Sequence, residues 1–259
     1  MKTLEITTKI GCKIRCLTYC PQEILNARYS GEKNLSFSAF RRLISSIPPE
    51  VDLIFAGMSE PFGNREAIDM MEYASSKGHE LMLLTTLDGL DIEDAQRLIK
   101  LPFKTIVVHL PDSEGIAHIT TSQDYRDVFF LIIEHIKNIQ FMNMGGLFQS
   151  NKTEDYFRGK SMRQKKGRVI CSKHENTEYY MMPNGDVYFC CQMKGLINKI
   201  GSLYETSYSD LLLKFKDESD QLQYDPHSIC HYCTISDYWW IYKCIKIMQL
   251  MKRKVETML

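Results

Sequence analysis

Neither sign of charge dominates this sequence: 32 Lys and Arg stand against 32 Asp and Glu over 259 residues. That balance argues against a globally basic nucleic-acid binder and against an acidic disordered chain. No apolar run approaches the roughly 20 residues of a membrane span, and Met1 to Ile10 lacks the long apolar stretch of a secretory signal. Repeats at solenoid period and low-complexity tracts are also missing. What remains is a globular composition, 44% hydrophobic, able to build a core without disulfide staples. The expectation is a cytoplasmic protein with no membrane partner and no nucleic-acid partner.

Cysteine is absent from a long stretch, between residues 20 and 171, and concentrated at both ends. The nine cysteines stand at 12, 16, 20, 171, 190, 191, 230, 233 and 244. A cytoplasm keeps thiols reduced, so such clusters point to metal or redox chemistry before disulfides.

The stretch between them alternates strand and helix. Leu4 to Ile10, Val51 to Ala56, Glu80 to Leu84, Thr105 to His109 and Ile139 to Met142 read as strands. Phe37 to Ile47, Asn64 to Lys77, Ile92 to Lys100 and Ser122 to Asn138 read as helices, with Asn64 as an N-cap and Gly78 as a stop. This spacing predicts right-handed βαβ units and a parallel sheet, as a partial barrel or an open doubly wound sheet. In either, ligands gather at the C-terminal strand ends, in the loops after Ile10, Ala56, Leu84, His109 and Met142. A second unit follows a locally basic stretch, Arg158 to Arg168, which reads as a solvated linker or a phosphate contact. It opens with a hairpin, Tyr179 to Met182 and Val187 to Phe189 around Asn184-Gly185. A helix from Tyr208 to Phe215 and a C-terminal helix from Ile235 complete it.

Cys12, Cys16 and Cys20 follow the first strand. Three thiolates can hold three irons of a [4Fe–4S] cluster and leave one iron open to a small-molecule chelator, or they can form part of a zinc site or pack as small hydrophobes. Strand, three-cysteine loop and βα units together resemble the radical S-adenosylmethionine (SAM) superfamily. Its usual motif is C-x3-C-x2-C with an aromatic before the last cysteine; here the spacing is C-x3-C-x3-C and Tyr19 keeps the aromatic place. Gly57-Met58-Ser59-Glu60-Pro61 resembles that superfamily's G-G-E-P segment, which grips the amino group of SAM. Backbone close to a glycine and a carboxylate beside it suit an ammonium. Thr85 stands where a T-N-G stretch is usual, His109 ends the fourth strand near adenosine or substrate, and Phe157-Arg158-Gly159 resembles an S-R-A-G stretch whose Arg takes a carboxylate.

The second cysteine group is Cys171, Cys190, Cys230 and Cys233. Read alone, it suits a zinc ribbon. Its C-x(9–15)-G-x4-C and C-x2-C pattern, followed by Ile200-Gly201-Ser202-Leu203, resembles the SPASM/twitch domain that carries an auxiliary [4Fe–4S] cluster. Cys191 is an alternative to Cys190, and Cys244 reads as core.

The resemblance implies an α/β fold: a partial (β/α)6-type radical SAM barrel over 1–168, then a small twitch domain over 169–259 with a β-hairpin and a C-terminal helix. It implies a radical SAM oxidoreductase of the 2-deoxy-scyllo-inosamine dehydrogenase type. Cys12, Cys16 and Cys20 would hold the catalytic cluster, and Tyr19, Gly57, Ser59, Glu60, Thr85, His109 and Arg158 would surround SAM. Reductive cleavage of SAM then gives a 5′-deoxyadenosyl radical that abstracts hydrogen from a small polar substrate, sugar or aminocyclitol-like, in a dehydrogenation or dehydration. An electron donor such as a flavodoxin or ferredoxin is implied. The first cluster cysteine is residue 12, which leaves no room ahead of it for the winged-helix domain of peptide-modifying relatives. The competing readings are a peptide-modifying radical SAM enzyme, a non-catalytic zinc-binding α/β adaptor, and a radical SAM fold that has lost SAM cleavage.

Overall fold

The computed structural model describes residues 3–14, 16, 20, 22–111, 117–143, 157, 159, 163–171, 178–233 and 236–256. One eight-stranded sheet organises them. Five strands come from the βα series: β1 (Thr3–Thr7), β2 (Asp52–Ala56), β3 (Leu81–Thr85), β4 (Phe103–Leu110) and β5 (Ile139–Asn143). They pair in parallel in chain order, with β1 at one end and β5 at the other. The connecting helices are α1 (Gln22–Arg28) and α2 (Phe37–Ile44) after β1, then α3 (Ala67–Ser76), α4 (Ile92–Leu98) and α5 (Gln123–His135).

Side chains alternate across each strand. Leu4 and Ile6 of β1, Leu53 and Phe55 of β2, Leu81 and Leu83 of β3, and Ile106 and Val108 of β4 join one core with the helices. Phe40 of α2 packs on Phe55 with ring centroids 5.9 Å apart. Glu5, Ala56, Leu84 and Val107 alternate to the other face and line a cavity. Helix starts follow the capping rules: Ser36, Asp91 and Ser122 each accept a backbone N–H three residues on.

Asn64 Oδ1 accepts the Glu66 N–H at 3.0 Å just ahead of α3, and its amide nitrogen makes two further bonds that the N-cap reading did not include. Its Nδ2 donates to Thr8 O at 2.9 Å and to Leu35 O at 2.7 Å, both buried. A short 3₁₀ turn, Pro61–Gly63, precedes it, and α3 begins only at Ala67. Two buried carbonyls on neighbouring segments need a donor, and the amide nitrogen supplies it while the amide oxygen serves the turn before α3.

The sixth parallel strand comes from the second segment. β6 (Val169–Ile170) precedes β7 (Glu178–Met181), which pairs in parallel with β1 on the side away from β2. The hairpin then returns through β8 (Asp186–Tyr188), and β9 (Lys199–Ser202) adds a third antiparallel strand. So the hairpin extends the sheet at its β1 edge. A 17-residue helix, α6 (Tyr208–Tyr224), longer than the expected Tyr208 to Phe215, covers it. Phe215 stacks on Phe189 at 4.5 Å and meets Tyr179 edge-on at 4.8 Å. Full burial of an aromatic ring contributes roughly 2–3 kcal/mol, so this trio holds α6 firmly on the hairpin.

β10 (Asp237–Tyr238) pairs with β6 in a separate two-stranded ribbon and leads into α7 (Trp239–Glu256). Cys244 lies on α7 and is exposed, not core as its apolar neighbours suggested. The helix is amphipathic, and its apolar stripe is left facing outward. No helix among the described residues is long and apolar enough to cross a membrane.

The predicted basic linker is partly a brace. Lys165 Nζ donates to Cys233 O and to Ser236 Oγ, the latter at 3.1 Å. Arg168 lies over the rings of Tyr224 and Trp239, at 4.5 and 5.3 Å, and donates to Gln223 Oε1. Two cations that sequence alone assigned to solvent or phosphate therefore hold the second segment together.

Candidate active site at the carboxyl ends of the parallel strands

A cavity of about 200 Å³ opens at the C-terminal ends of β2 to β5 and is lined by Glu5, Ala56, Gly57, Ser59, Glu60, Leu84, Thr85, Val107, His109 and Met142. Five of the sequence-predicted SAM-site residues meet here: Gly57, Ser59, Glu60, Thr85 and His109. Tyr19 and Arg158 lie outside the described residues.

The segment after β2 is shaped by a glycine. Gly57 has φ +95°, and a Cβ there would lie 2.0 Å from Thr7 Oγ1 at the end of β1. Thr7 Oγ1 also accepts the Met58 N–H at 3.2 Å, so β1 pins the loop at the place where a side chain would collide. Gly57→Ala combines a disfavoured φ with this clash. It is expected to cost roughly 2–3 kcal/mol or more, read as a lower urea midpoint, with ligand affinity falling alongside because Glu60 is displaced.

Glu60 follows as the N-cap of the 3₁₀ turn and is buried. Thr85 Oγ1 donates to Oε1 at 2.5 Å, while the Thr86 N–H and Thr86 Oγ1 each donate to Oε2 at 2.7 Å. The Phe62 N–H adds a longer bond of 3.4 Å. Burial outweighs these neutral donors and lifts the carboxyl to about 7. A buried carboxylate held by neutral donors is stabilised further by a cation delivered into the cavity. His109 is shifted the other way: burial lowers it, so it stays neutral at pH 7.

The cysteine loop meets this segment directly. Backbone N–H groups of Glu60 and Ile14 donate to the Cys12 thiol. Cys20 Sγ lies 3.4 Å from Met58 O. Gln22, the first residue of α1, clamps the two: Nε2 donates to Cys20 Sγ at 2.8 Å and to Met58 O at 2.6 Å, while Oε1 accepts the Cys12 N–H at 3.1 Å. Nothing in the sequence distinguished Gln22 from any loop glutamine. Thr86 was visible in the Thr85-Thr86 pair, but its two bonds to Glu60 were not.

The electrostatics of the loop suit a metal group. Burial first, then charge on Cys20 and Cys12, pushes the Cys16 thiol up to about 12. Burial also raises Cys12. Cys12 and Cys16, desolvated and close to a third thiol, gain most from a shared cationic centre. Their donor chemistry fits an iron–sulfur cluster with one iron left for another ligand.

In the second group, burial is the main cause that raises Cys190, followed by charge on Cys191, Cys230 and Cys233. Cys190 thus neighbours the C-x2-C pair, whereas Cys191 bonds with the Tyr180 hydroxyl. Ser236 Oγ bridges Cys230 O at 2.5 Å and Cys233 O at 3.0 Å. His231 inside the C-x2-C turn is buried, with Nδ1 2.8 Å from Lys165 O. Cys171, also buried, follows β6, which packs on this turn. Among the described residues, no group of three or more Cys, His, Asp or Glu side chains is disposed to hold a single metal ion. All-cysteine donors fit the second cluster by chemistry.

No protein-family model and no curated protein sequence matches the chain. Solved structures do. BtrN in complex with AdoMet and 2-DOIA superposes with a TM-score of 0.65 at 14% identity, covering 92% of this chain and 94% of that one. anSMEcpe with bound AdoMet gives 0.54 at 14% identity, over 90% and 86%. Streptococcus suis SuiB bound to precursor peptide SuiA gives 0.52 at 14% identity, over 90% and 69%. These are radical SAM enzymes, and it is their mixed α/β fold, with its parallel-strand sheet, that this chain adopts.

Proposed function

We propose that the chain is a radical SAM enzyme acting on a small polar substrate. The observation that carries this reading is the junction of two motifs: the thiol of Cys12 receives the backbone N–H of Glu60, whose buried carboxylate lines the cavity. Cys12, Cys16 and Cys20 would hold a [4Fe–4S] cluster, which when bound supplies one electron to split SAM. Cys171, Cys190, Cys230 and Cys233 would hold an auxiliary cluster able to accept an electron, which favours a dehydrogenation.

The residues of the chain then do the following. Glu60, fixed by Thr85 and Thr86, pairs with the α-ammonium of SAM. Gly57 lets the backbone approach it, and Ser59 adds a hydroxyl at the cavity wall. Gln22 keeps the cysteine loop registered on Met58. Leu84, Val107 and Met142 form apolar walls that exclude water from the reacting C–H bond. A flavodoxin or ferredoxin would deliver the electron.

The test is anaerobic reconstitution followed by reductive SAM cleavage. About eight irons per chain, for two [4Fe–4S] clusters, and release of 5′-deoxyadenosine support the reading. A fully loaded first cluster that yields none would remove it, and zinc without sulfide would replace it by the adaptor.

Glu5, in the middle of β1, lies deeper than the strand-end residues and adds a carboxylate to the cavity wall. A substrate amine or polyol hydroxyl can donate to it. Glu5→Gln is expected to erase any preference for an aminocyclitol over the matching nitrogen-free cyclitol, roughly tenfold in KM for one charge-assisted hydrogen bond. Unproductive SAM cleavage should persist. Loss of cleavage itself would instead put Glu5 at SAM.

A further inference from the structure

α7 presents an apolar stripe with nothing on it. Trp240, Cys244, Ile247, Met248 and Met251 recur at the three- and four-residue spacing of one helix face. All five are exposed, Trp240 by 63% and Met251 by 64%. Single exposed apolar residues are ordinary, but five on one face of one helix are not. The helix is anchored elsewhere on its circumference: Trp239 lies under the Arg168 guanidinium at 5.3 Å. The stripe therefore faces away from the sheet.

Charge identifies the occupant. The chain as a whole is neutral, yet residues 239–256 carry Lys243, Lys246, Lys252, Arg253 and Lys254 against the single acid Glu256. In helical register, positions 243 and 254 border one side of the stripe and position 252 the other. An apolar stripe opening with tryptophan and flanked by basic positions is the pattern of a helix lying in a lipid–water interface. A second copy of the same chain would oppose these basic positions with its own.

We infer that α7 docks the protein reversibly on an anionic membrane surface, the stripe entering the headgroup boundary and the flanking cations meeting lipid phosphates. This does not depend on the chemistry proposed for the cavity.

The test uses the full cluster-loaded chain with vesicles of phosphatidylcholine alone and of mixed phosphatidylcholine and phosphatidylglycerol. The chain holds only two tryptophans, so Trp239→Phe leaves Trp240 as the reporter. Expected are co-sedimentation with the mixed vesicles and a blue shift of Trp240 emission. Binding should weaken roughly fivefold for each basic residue removed, and high salt should weaken it too. Met248→Glu/Met251→Glu should lower vesicle affinity at least tenfold with iron content unchanged. Failure of the folded wild type to bind anionic vesicles at low salt overturns the inference. Equal binding by the double variant also overturns it. Self-association through the stripe seen by light scattering, or docking of an acidic protein there, without vesicle binding assigns the face to a protein partner instead.

Discussion

Cys16→Ala is expected to abolish 5′-deoxyadenosine formation. The loop offers three thiols, and a cluster that must leave one iron open has no spare protein ligand. Cys16 contributes little to the hydrophobic core, being half-buried beside Ile14 and Ala117, so the loss falls on iron binding and not on folding. Iron should drop by about half, the loss of one of two four-iron groups. Cys233→Ala makes the contrast. It removes a ligand from the second group, 68 residues after the Lys165 that braces its carbonyl, and leaves the first loop intact. Some uncoupled cleavage should survive, with substrate turnover lost. Unchanged iron in Cys233→Ala would refute the auxiliary site while leaving the first cluster standing.

Glu60→Gln should weaken SAM binding on the order of 10²–10³-fold, the cost of leaving a buried charge without its partner. The pH profile carries the sharper test. In the free protein Glu60 is held near 7 against an ordinary 4.5, so the ionised form that an ammonium needs disappears as pH falls below about 7. Affinity in the wild type should therefore fall towards acid, and fall again above roughly pH 8 as the ligand's own α-amino group loses its proton. The variant should lack the acid limb.

Stability runs the opposite way. Between 4.5 and about 7 the folded protein keeps a proton on Glu60 that the unfolded chain has released. Wild-type stability thus declines as pH rises through that window, by roughly 3 kcal/mol in the limit. Relative to wild type, Glu60→Gln should gain stability from pH 5 to pH 8 while it loses the ligand. Urea midpoints at the two pH values, without SAM, check this. Parallel curves would mean that the carboxyl is not held neutral by burial.

Much of this was legible in the residues because it is local. The strands of the βα series show as apolar runs between helical periods, and the cysteine groups show as spacing. Boundaries moved where long-range bonds competed with local ones. Asn64 reaches Thr8 and Leu35 through its amide nitrogen and α3 starts only at Ala67, while Cys244 falls on the outward side of α7.

By itself the sequence determined the parallel α/β architecture, the two thiol groups and the acidic loop after the second strand. Periodicity, turn residues and ligand types act over a few residues. Only the tertiary structure decided that β7 joins the sheet beside β1, that Gln22 clamps Cys20 to Met58, that Lys165 and Arg168 brace the second segment, and that Cys190 turns to Cys230 and Cys233 while Cys191 turns to Tyr180. Each is a contact between residues distant along the chain, or a choice between equivalent neighbours. Strand order and buried hydrogen bonding settle such contacts once the whole sheet has formed.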